Sequence, residues 1–237
     1  MKKAYIFGCS HAAGSEMFDN DIDQEYTHSY PALIARDLGY EIHNHAIPGG
    51  SNDAIFRILI DIHQSITDQD LIIFCWIGAG RVEIWNEQHQ QWLQFSVGQP
   101  AFKVWEPHPV ALQGRATGAD IADHGGWQQY HRAWQQRWLG IEDRNEKAQE
   151  YRNILAAHAL AETRTANIIN IRSFAGHEHA YRSTTDRFYW PIGHEEFWQW
   201  CHDRMFAHTD WGHFGLDAHR AFADYVLERL GPDRHTQ

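Results

Sequence analysis

The order of apolar and polar positions predicts a protein in which strands and helices alternate. Residues 4–7 form a short apolar run that stops at Gly8, and residues 71–77 are apolar almost without interruption. An unbroken run of this kind is typical of a central strand of a parallel sheet, which is buried on both faces. Between the two runs, residues 51–66 carry apolar side chains at the i, i+3, i+4 spacing of an amphipathic helix, with Ser51 as the predicted N-cap.

The same alternation continues to the end of the chain. Apolar spacing predicts further helices at 26–38, 146–164, 195–206 and 216–230, and further strands at 41–46 and 167–174. We therefore predict an α/β fold: a three-layer α/β/α sandwich around a mostly parallel, doubly wound sheet of about five strands. The length of 237 residues favours one domain over residues 1–237.

Residues 82–143 break the periodic pattern. This segment is rich in Gln, Gly and Trp, and a long segment without regular pattern is usually functional or an elaboration of the fold. We predict an insertion that acts as a lid over the carboxyl edge of the sheet, with one helix at about 127–138. The chain contains 11 Trp, and those of this insertion either bind a sugar ring or form a small core under a long loop; they are Trp85, Trp92, Trp105, Trp127, Trp134 and Trp138.

Composition excludes several classes of partner. The formal net charge of -11 argues against binding to nucleic acid or to an anionic membrane surface, and no basic run offsets it. No stretch reaches the about 18 apolar residues that a membrane span requires. Three cysteines cannot all pair, and two of them lie in apolar segments. Together with the lack of a signal peptide pattern, this predicts a reduced, cytoplasmic location.

A serine near the start of the chain is the first candidate for chemistry. Ser10 stands two residues after the glycine that ends the first strand, where the carboxyl ends of parallel strands line a ligand crevice. A serine nucleophile needs a histidine base that is oriented by a carboxylate. Asp210 and His213 stand just before the last helix, at the same predicted edge. The alternative is an ordinary βα turn in which Ser10 only caps the next helix.

Three segments in this order resemble a known family. They are Gly8-Cys9-Ser10 with Gly14, Asn44-His45-Ala46-Ile47-Pro48-Gly49-Gly50-Ser51, and Asp210-Trp211-Gly212-His213. They are similar to the first, second and last blocks of the SGNH (GDSL-type) hydrolases, and their context spans nearly the whole chain. The resemblance implies a serine esterase, of the deacylase or acetylesterase type. The high Trp content, and not the resemblance, suggests that the substrate is a carbohydrate or another small hydroxylated acyl ester.

The resemblance also implies a role for each matched residue. Ser10 is the nucleophile, His213 the general base and Asp210 the carboxylate that orients the imidazole. The backbone N–H groups of Ser10 and Gly49 form the oxyanion hole. No metal or cofactor is needed for this chemistry.

Two positions depart from the family pattern. Cys9 stands where the family usually has Asp, and Gly80 stands where the third block has an oxyanion-hole Asn. Losing one such donor typically costs about 100- to 1000-fold in rate, so Asn52 or Arg81 is a candidate replacement. The alternative function is a catalytically impaired binding protein for a glycan or an acylated ligand.

Further residues are candidates because of where they stand. His11, Arg81 and Trp211 neighbour the matched segments and are predicted to contact substrate. His177 and His179 flank a glutamate and suggest a metal site, but spacing of i and i+2 without a second cluster is more typical of a solvated loop. A metal-dependent hydrolase is therefore only a remote alternative.

Overall fold

The computed structural model describes residues 1–18, 21–78, 81–86, 91–96, 143–173, 188–193, 195–209 and 212–231. Along the chain, its elements are β1 (Lys3–Phe7), α1 (Ser10–Ala13), α2 (Ile22–His28), α3 (Tyr30–Asp37), β2 (Glu41–Asn44), α4 (Asn52–Ile62), β3 (Leu71–Trp76), β4 (Arg81–Asn86), β5 (Gln91–Ser96), α5 (Asp143–Glu162), β6 (Ile168–Arg172), α6 (Phe197–Asp203) and α7 (Leu216–Leu230). A single turn of 3₁₀-helix, His63–Ser65, follows α4.

A parallel sheet forms the centre of the fold. Its strands lie in the order β2-β1-β3-β6, and every neighbouring pair is parallel. Each residue of β3 is buried, as its unbroken apolar run predicts. Within the described residues this sheet has four strands, not the five or so that we expected from the sequence.

Helices cover both faces of this sheet, because side chains alternate between the two faces of each strand. On β1, Tyr5 and Phe7 face a core that includes α4 and α5, whereas Ala4 and Ile6 face a core that includes α3, α6 and α7. The predicted three-layer α/β/α arrangement is therefore present in the described part of the chain.

The helix that we expected at 26–38 is two helices. The backbone at Ser29 is extended, and α3 begins at the next residue with Pro31 in its first turn. Proline lacks an N–H, and in a helix interior its ring would clash with the carbonyl four residues earlier, so α2 ends before it. In α2, the Asp21 side chain accepts a hydrogen bond from the Gln24 N–H at 3.2 Å and caps the helix.

The start of the predicted insertion, residues 82–143, holds two strands that the sequence analysis did not predict. β4 and β5 form an antiparallel hairpin, and β4 is joined to α4 by a bidentate ion pair from Arg57 to Glu83 at 2.6 and 2.8 Å. The alternation of apolar Val82 and Ile84 with polar neighbours is the strand signal in the sequence. The helix predicted at 127–138 lies outside the described residues, as does most of the predicted lid.

The three cysteines, Cys9, Cys75 and Cys201, are buried free thiols, and burial raises the pKa of Cys201 to about 12.

None of the helices that the structure describes is both long enough and apolar enough to cross a bilayer.

Gly8 is expected to tolerate no side chain, because the end of β1 is tightly packed. A Cβ added there would lie 2.6 Å from the Ala12 Cβ and 2.8 Å from the Cys75 Cβ. Such overpacking typically costs about 1–3 kcal/mol, and we expect Gly8→Ala to lower the free energy of unfolding by that amount in urea titrations. Gly215→Ala is the control, because a Cβ there meets nothing within 4 Å. Equal stability of the two variants would contradict the packing at Gly8.

Candidate active site

Ser10 lies at the carboxyl end of β1, where it begins the short helix α1. Cys9 is the extended residue before this helix and contributes no side-chain cap. Ser10 is only 1% exposed, and its Oγ has no hydrogen-bond partner among the described residues. Because buried polar atoms are nearly always paired, a hydroxyl of this kind needs an explanation.

The turn after β2 lies directly against the segment before Ser10. The Ile47 N–H donates to the Gly8 carbonyl at 2.9 Å, and the Gly50 N–H donates to the Ile47 carbonyl at 2.7 Å. Gly49, between them, has a φ of +73°, which favours glycine. In the described part of the chain, the N–H groups of Ser10 and Gly49 donate no hydrogen bond. The two predicted oxyanion-hole donors therefore belong to adjoining turns at one edge of the sheet.

His213 reaches the same edge from the loop before α7. It is 4% exposed, and its ring centroid lies 5.2 Å from that of His11, the residue after Ser10. The Thr209 N–H donates to the His213 carbonyl at 2.8 Å. Ser10 Oγ and His213 form no hydrogen bond in the structure. Catalytic hydrogen bonds are often long or poorly aligned before substrate binds, so the missing hydrogen bond is compatible with His213 as a base for Ser10.

A carboxylate that the sequence did not indicate lies beside this imidazole. Glu16 Oε2 is 3.1 Å from His213 Nδ1 and accepts a hydrogen bond from the Thr209 hydroxyl at 2.5 Å. No motif spacing marks Glu16, because it meets His213 only through the folding of the loop after α1. Asp210 and Trp211, which the resemblance singles out, lie outside the described residues, as does Gly80.

Burial keeps the histidines of this edge in their neutral form. Burial lowers the pKa of His213, while the neighbouring Glu16 opposes that shift and the charge of Arg81 adds to it. The pKa of His11 lies well below its ordinary value because of burial first and electrostatic repulsion with His213, His219 and Arg81 second. Burial, with a smaller contribution from His213, lowers the pKa of His219 to about 3. A neutral His213 is the form that can accept a proton from a serine.

Asn52 has a structural role that accounts for its side chain. Its Nδ2 donates to the Ile77 carbonyl at 2.7 Å, and its Oδ1 accepts from the Ile77 N–H at 3.1 Å. The side chain thereby joins the start of α4 to the end of β3. One Nδ2–H and Oδ1 are thus paired with this backbone, and an oxyanion-hole role for Asn52, which would need its second Nδ2–H, stays a prediction.

Replacing Asn52 by alanine is expected to destabilise the fold. Asn52→Ala leaves the buried N–H and carbonyl of Ile77 without these partners, and an unsatisfied buried group costs about 1–3 kcal/mol. We expect a loss of that order in the free energy of unfolding, measured by urea titration. The half-buried Asn167→Ala, whose side chain loses only a 3.5 Å hydrogen bond to the Asp68 carbonyl, is the control. An unchanged stability of Asn52→Ala would contradict the role assigned here.

Arg81 begins β4 and extends to the glycine turn. Its Nη1 donates to the Gly50 carbonyl at 3.4 Å, and its charge acts on both His11 and His213. Arg81 therefore belongs to the same edge as Ser10. His11 also lies there but is buried against aromatic rings, with the Phe197 centroid at 5.3 Å.

The predicted metal alternative cannot be placed. His177 and His179 lie outside the described residues. Among the residues that the structure describes, no group of three or more His, Cys, Asp or Glu side chains is arranged to hold a metal ion.

Comparison with known proteins gives likenesses to solved structures. No family model matches the chain, and no curated protein matches it. Among solved structures, it is similar to an acetyl xylan esterase, Est2A, from the rumen bacterium Butyrivibrio proteoclasticus, with a TM-score of 0.45 and 12% sequence identity. The match covers 97% of this chain and 64% of that chain, so the present chain spans less than two thirds of that protein.

Proposed function

We propose that this protein is a serine-dependent ester hydrolase of the SGNH type, with Ser10 as its nucleophile. One observation carries the proposal. The buried and unpaired Ser10 hydroxyl lies at the sheet edge that also holds His213 and the Gly49 turn. A nucleophile, a base and backbone donors at one edge are the parts that acyl transfer requires.

The reaction would proceed through an acyl-enzyme. Ser10 Oγ attacks the ester carbon while His213 takes the hydroxyl proton, and the Ser10 and Gly49 N–H groups stabilise the oxyanion. The carbon–oxygen bond to the alcohol then breaks, and His213 returns the proton to the departing alcohol. Water attacks the acyl-serine with the same base, which releases the acid and restores Ser10. The resemblance assigns Asp210 to orient His213.

Arg81 is the proposed substitute for the missing asparagine of the third block. It is a cation that donates to the carbonyl of the glycine turn and acts electrostatically on the site histidines. In the proposed reaction it stabilises the oxyanion either directly or through the position of the turn. Trp211 and His11 remain proposed substrate contacts.

The proposed substrate is a carbohydrate or another small hydroxylated compound that carries an acyl ester. This part rests on the aromatic content of the chain, because Trp rings bind the apolar faces of sugars. The chemistry at Ser10 needs no metal, cofactor or nucleic acid.

Ester hydrolysis is tested by measuring acid release from p-nitrophenyl acetate and from acetylated oligosaccharides. We expect turnover of the activated ester and of at least one acetylated sugar, each retained after dialysis against a chelator. Binding of an acetylated sugar in calorimetry, without turnover of any ester, would instead support the alternative of a catalytically impaired binding protein. That outcome would overturn the proposed hydrolase.

A further inference from the structure

We propose that Glu16 is the positioning residue for His213, holding its Nδ1 edge so that Nε2 is free to act as the base. This inference rests on the proposed function, in which His213 is the base. It assigns the contact to a residue that lies six positions after Ser10 and that the family resemblance does not mark.

The first support is the contact itself. Glu16 Oε2 lies 3.1 Å from His213 Nδ1, and the imidazole side chain is only 5% exposed. The orientation of the ring makes this contact a close approach of the two groups and not a well-aligned hydrogen bond. A carboxylate beside Nδ1 favours the tautomer with its proton on Nδ1, which leaves Nε2 as the proton acceptor. The same carboxylate stabilises the imidazolium that forms when Nε2 takes the serine proton.

The second support is the backbone that holds Glu16 in place. Glu16 has a φ of +69°, in the left-handed region that side-chain-bearing residues rarely adopt. Gly14, two residues before Glu16, has a φ of +80°, and a Cβ added to Gly14 would lie 2.5 Å from the Glu25 carbonyl oxygen. The Glu16 N–H donates to Glu25 Oε1 at 2.8 Å, and Glu25 is 1% exposed. Strained backbone that is held in this way is frequent at functional sites.

The third support is a link between the two loops. The Thr209 hydroxyl donates to Glu16 Oε2 at 2.5 Å, and the His213 N–H donates to Thr209 Oγ1 at 3.2 Å. The Glu16 carboxylate therefore contacts both the ring of His213 and Thr209, whose hydroxyl oxygen accepts the His213 backbone N–H. A rigid ring position matters because misplacement by about 1 Å can cost about 100-fold in rate.

Other charged and titratable groups also act on His213, and the test must separate Glu16 from them. Burial and Arg81 lower its pKa, and Glu16 alone raises it. A charge on His213 would in turn lower the pKa of His11 on α1 and of His219 on α7. Removing the Glu16 charge should therefore lower the His213 pKa further.

The test is a nitrogen NMR titration of His213 in wild type and in Glu16→Gln, with the signal assigned from His213→Gln. We expect wild type to show the proton on Nδ1 at about pH 8, where the imidazole is neutral. We expect Glu16→Gln to have a lower His213 pKa. Glu41→Gln is the matched control, because Glu41 lies 3.2 Å from His43 Nε2 on β2, and it should leave His213 unchanged.

The NMR titration of His213 does not depend on esterase activity, so it tests the role of Glu16 even if the protein hydrolyses no ester. An unchanged His213 pKa in Glu16→Gln would overturn the inference. If that variant did not fold, a wild-type proton on Nε2 would overturn it equally. With an active enzyme, we expect Glu16→Gln to lower kcat by about 100-fold or more and to shift the acid limb of kcat/KM to lower pH. Asp210→Asn is the comparison: if it lowered the His213 pKa while Glu16→Gln did not, the role would belong to Asp210.

Discussion

Ser10→Ala is expected to lower kcat/KM for p-nitrophenyl acetate by about 10⁶-fold, because removing the nucleophile of a serine hydrolase leaves only binding and oxyanion stabilisation. We expect Ser10→Ala to leave the fold unchanged. The lost hydroxyl has no hydrogen-bond partner among the described residues, and alanine is a good helix former at the start of α1. The measurement is steady-state hydrolysis with protein whose circular dichroism matches that of wild type.

Ser15→Ala is the matched control for this substitution. Ser15 is also buried, and its Oγ also lacks a partner in the described part of the chain, but it follows α1 and not β1. We expect it to retain wild-type activity within a few-fold. If Ser10→Ala kept a tenth of the wild-type rate, or if both serine variants lost activity equally, Ser10 would not be the nucleophile.

His213→Gln is expected to have the second largest effect, a loss of about 10⁴- to 10⁶-fold in kcat. Burial lowers the pKa of the His213 imidazole, which favours the neutral form that accepts a proton. The glutamine that replaces it has no group that can accept the serine proton at neutral pH. The loss should appear in kcat more than in KM, because the base acts in the transition state.

The control for this histidine is His63→Gln, on the 3₁₀ turn after α4. His63 Nε2 contacts the Thr163 hydroxyl at 2.8 Å. We expect this variant to keep its activity. A His213→Gln enzyme with near wild-type kcat would show that another base, such as His11, serves Ser10.

The elements that the sequence predicts best are those whose burial dictates their pattern. The unbroken apolar run of β3 and the amphipathic stripes of α4 and α7 follow from packing on a two-sided sheet, and the structure has them within a few residues. Apolar spacing alone does not separate α2 from α3, because the apolar positions continue across the break that the ring of Pro31 requires. The β4–β5 hairpin is not predicted, because its alternation of apolar and polar residues is short and lies in a segment rich in polar residues.

The candidate site was predictable only where a residue adjoins a strand end. Ser10 and Gly49 follow strands that meet at one edge, and His213 precedes the last helix. Glu16 was not predictable, because its contact depends on a left-handed turn and on a buried glutamate that holds its backbone. The structural contact of Asn52 was not predictable either, since its partner, Ile77, lies at the end of β3.

The central claim, an activated serine at position 10, is tested most directly by a fluorophosphonate, which forms a stable adduct only with an activated nucleophile. The adduct is located by mass spectrometry of tryptic peptide 4–36, which also contains Ser15 and Ser29 and therefore needs fragment ions for assignment. We predict one adduct per chain, on Ser10, formed in wild type and in Ser15→Ala but not in His213→Gln. No adduct, or an adduct on another residue, would contradict the account.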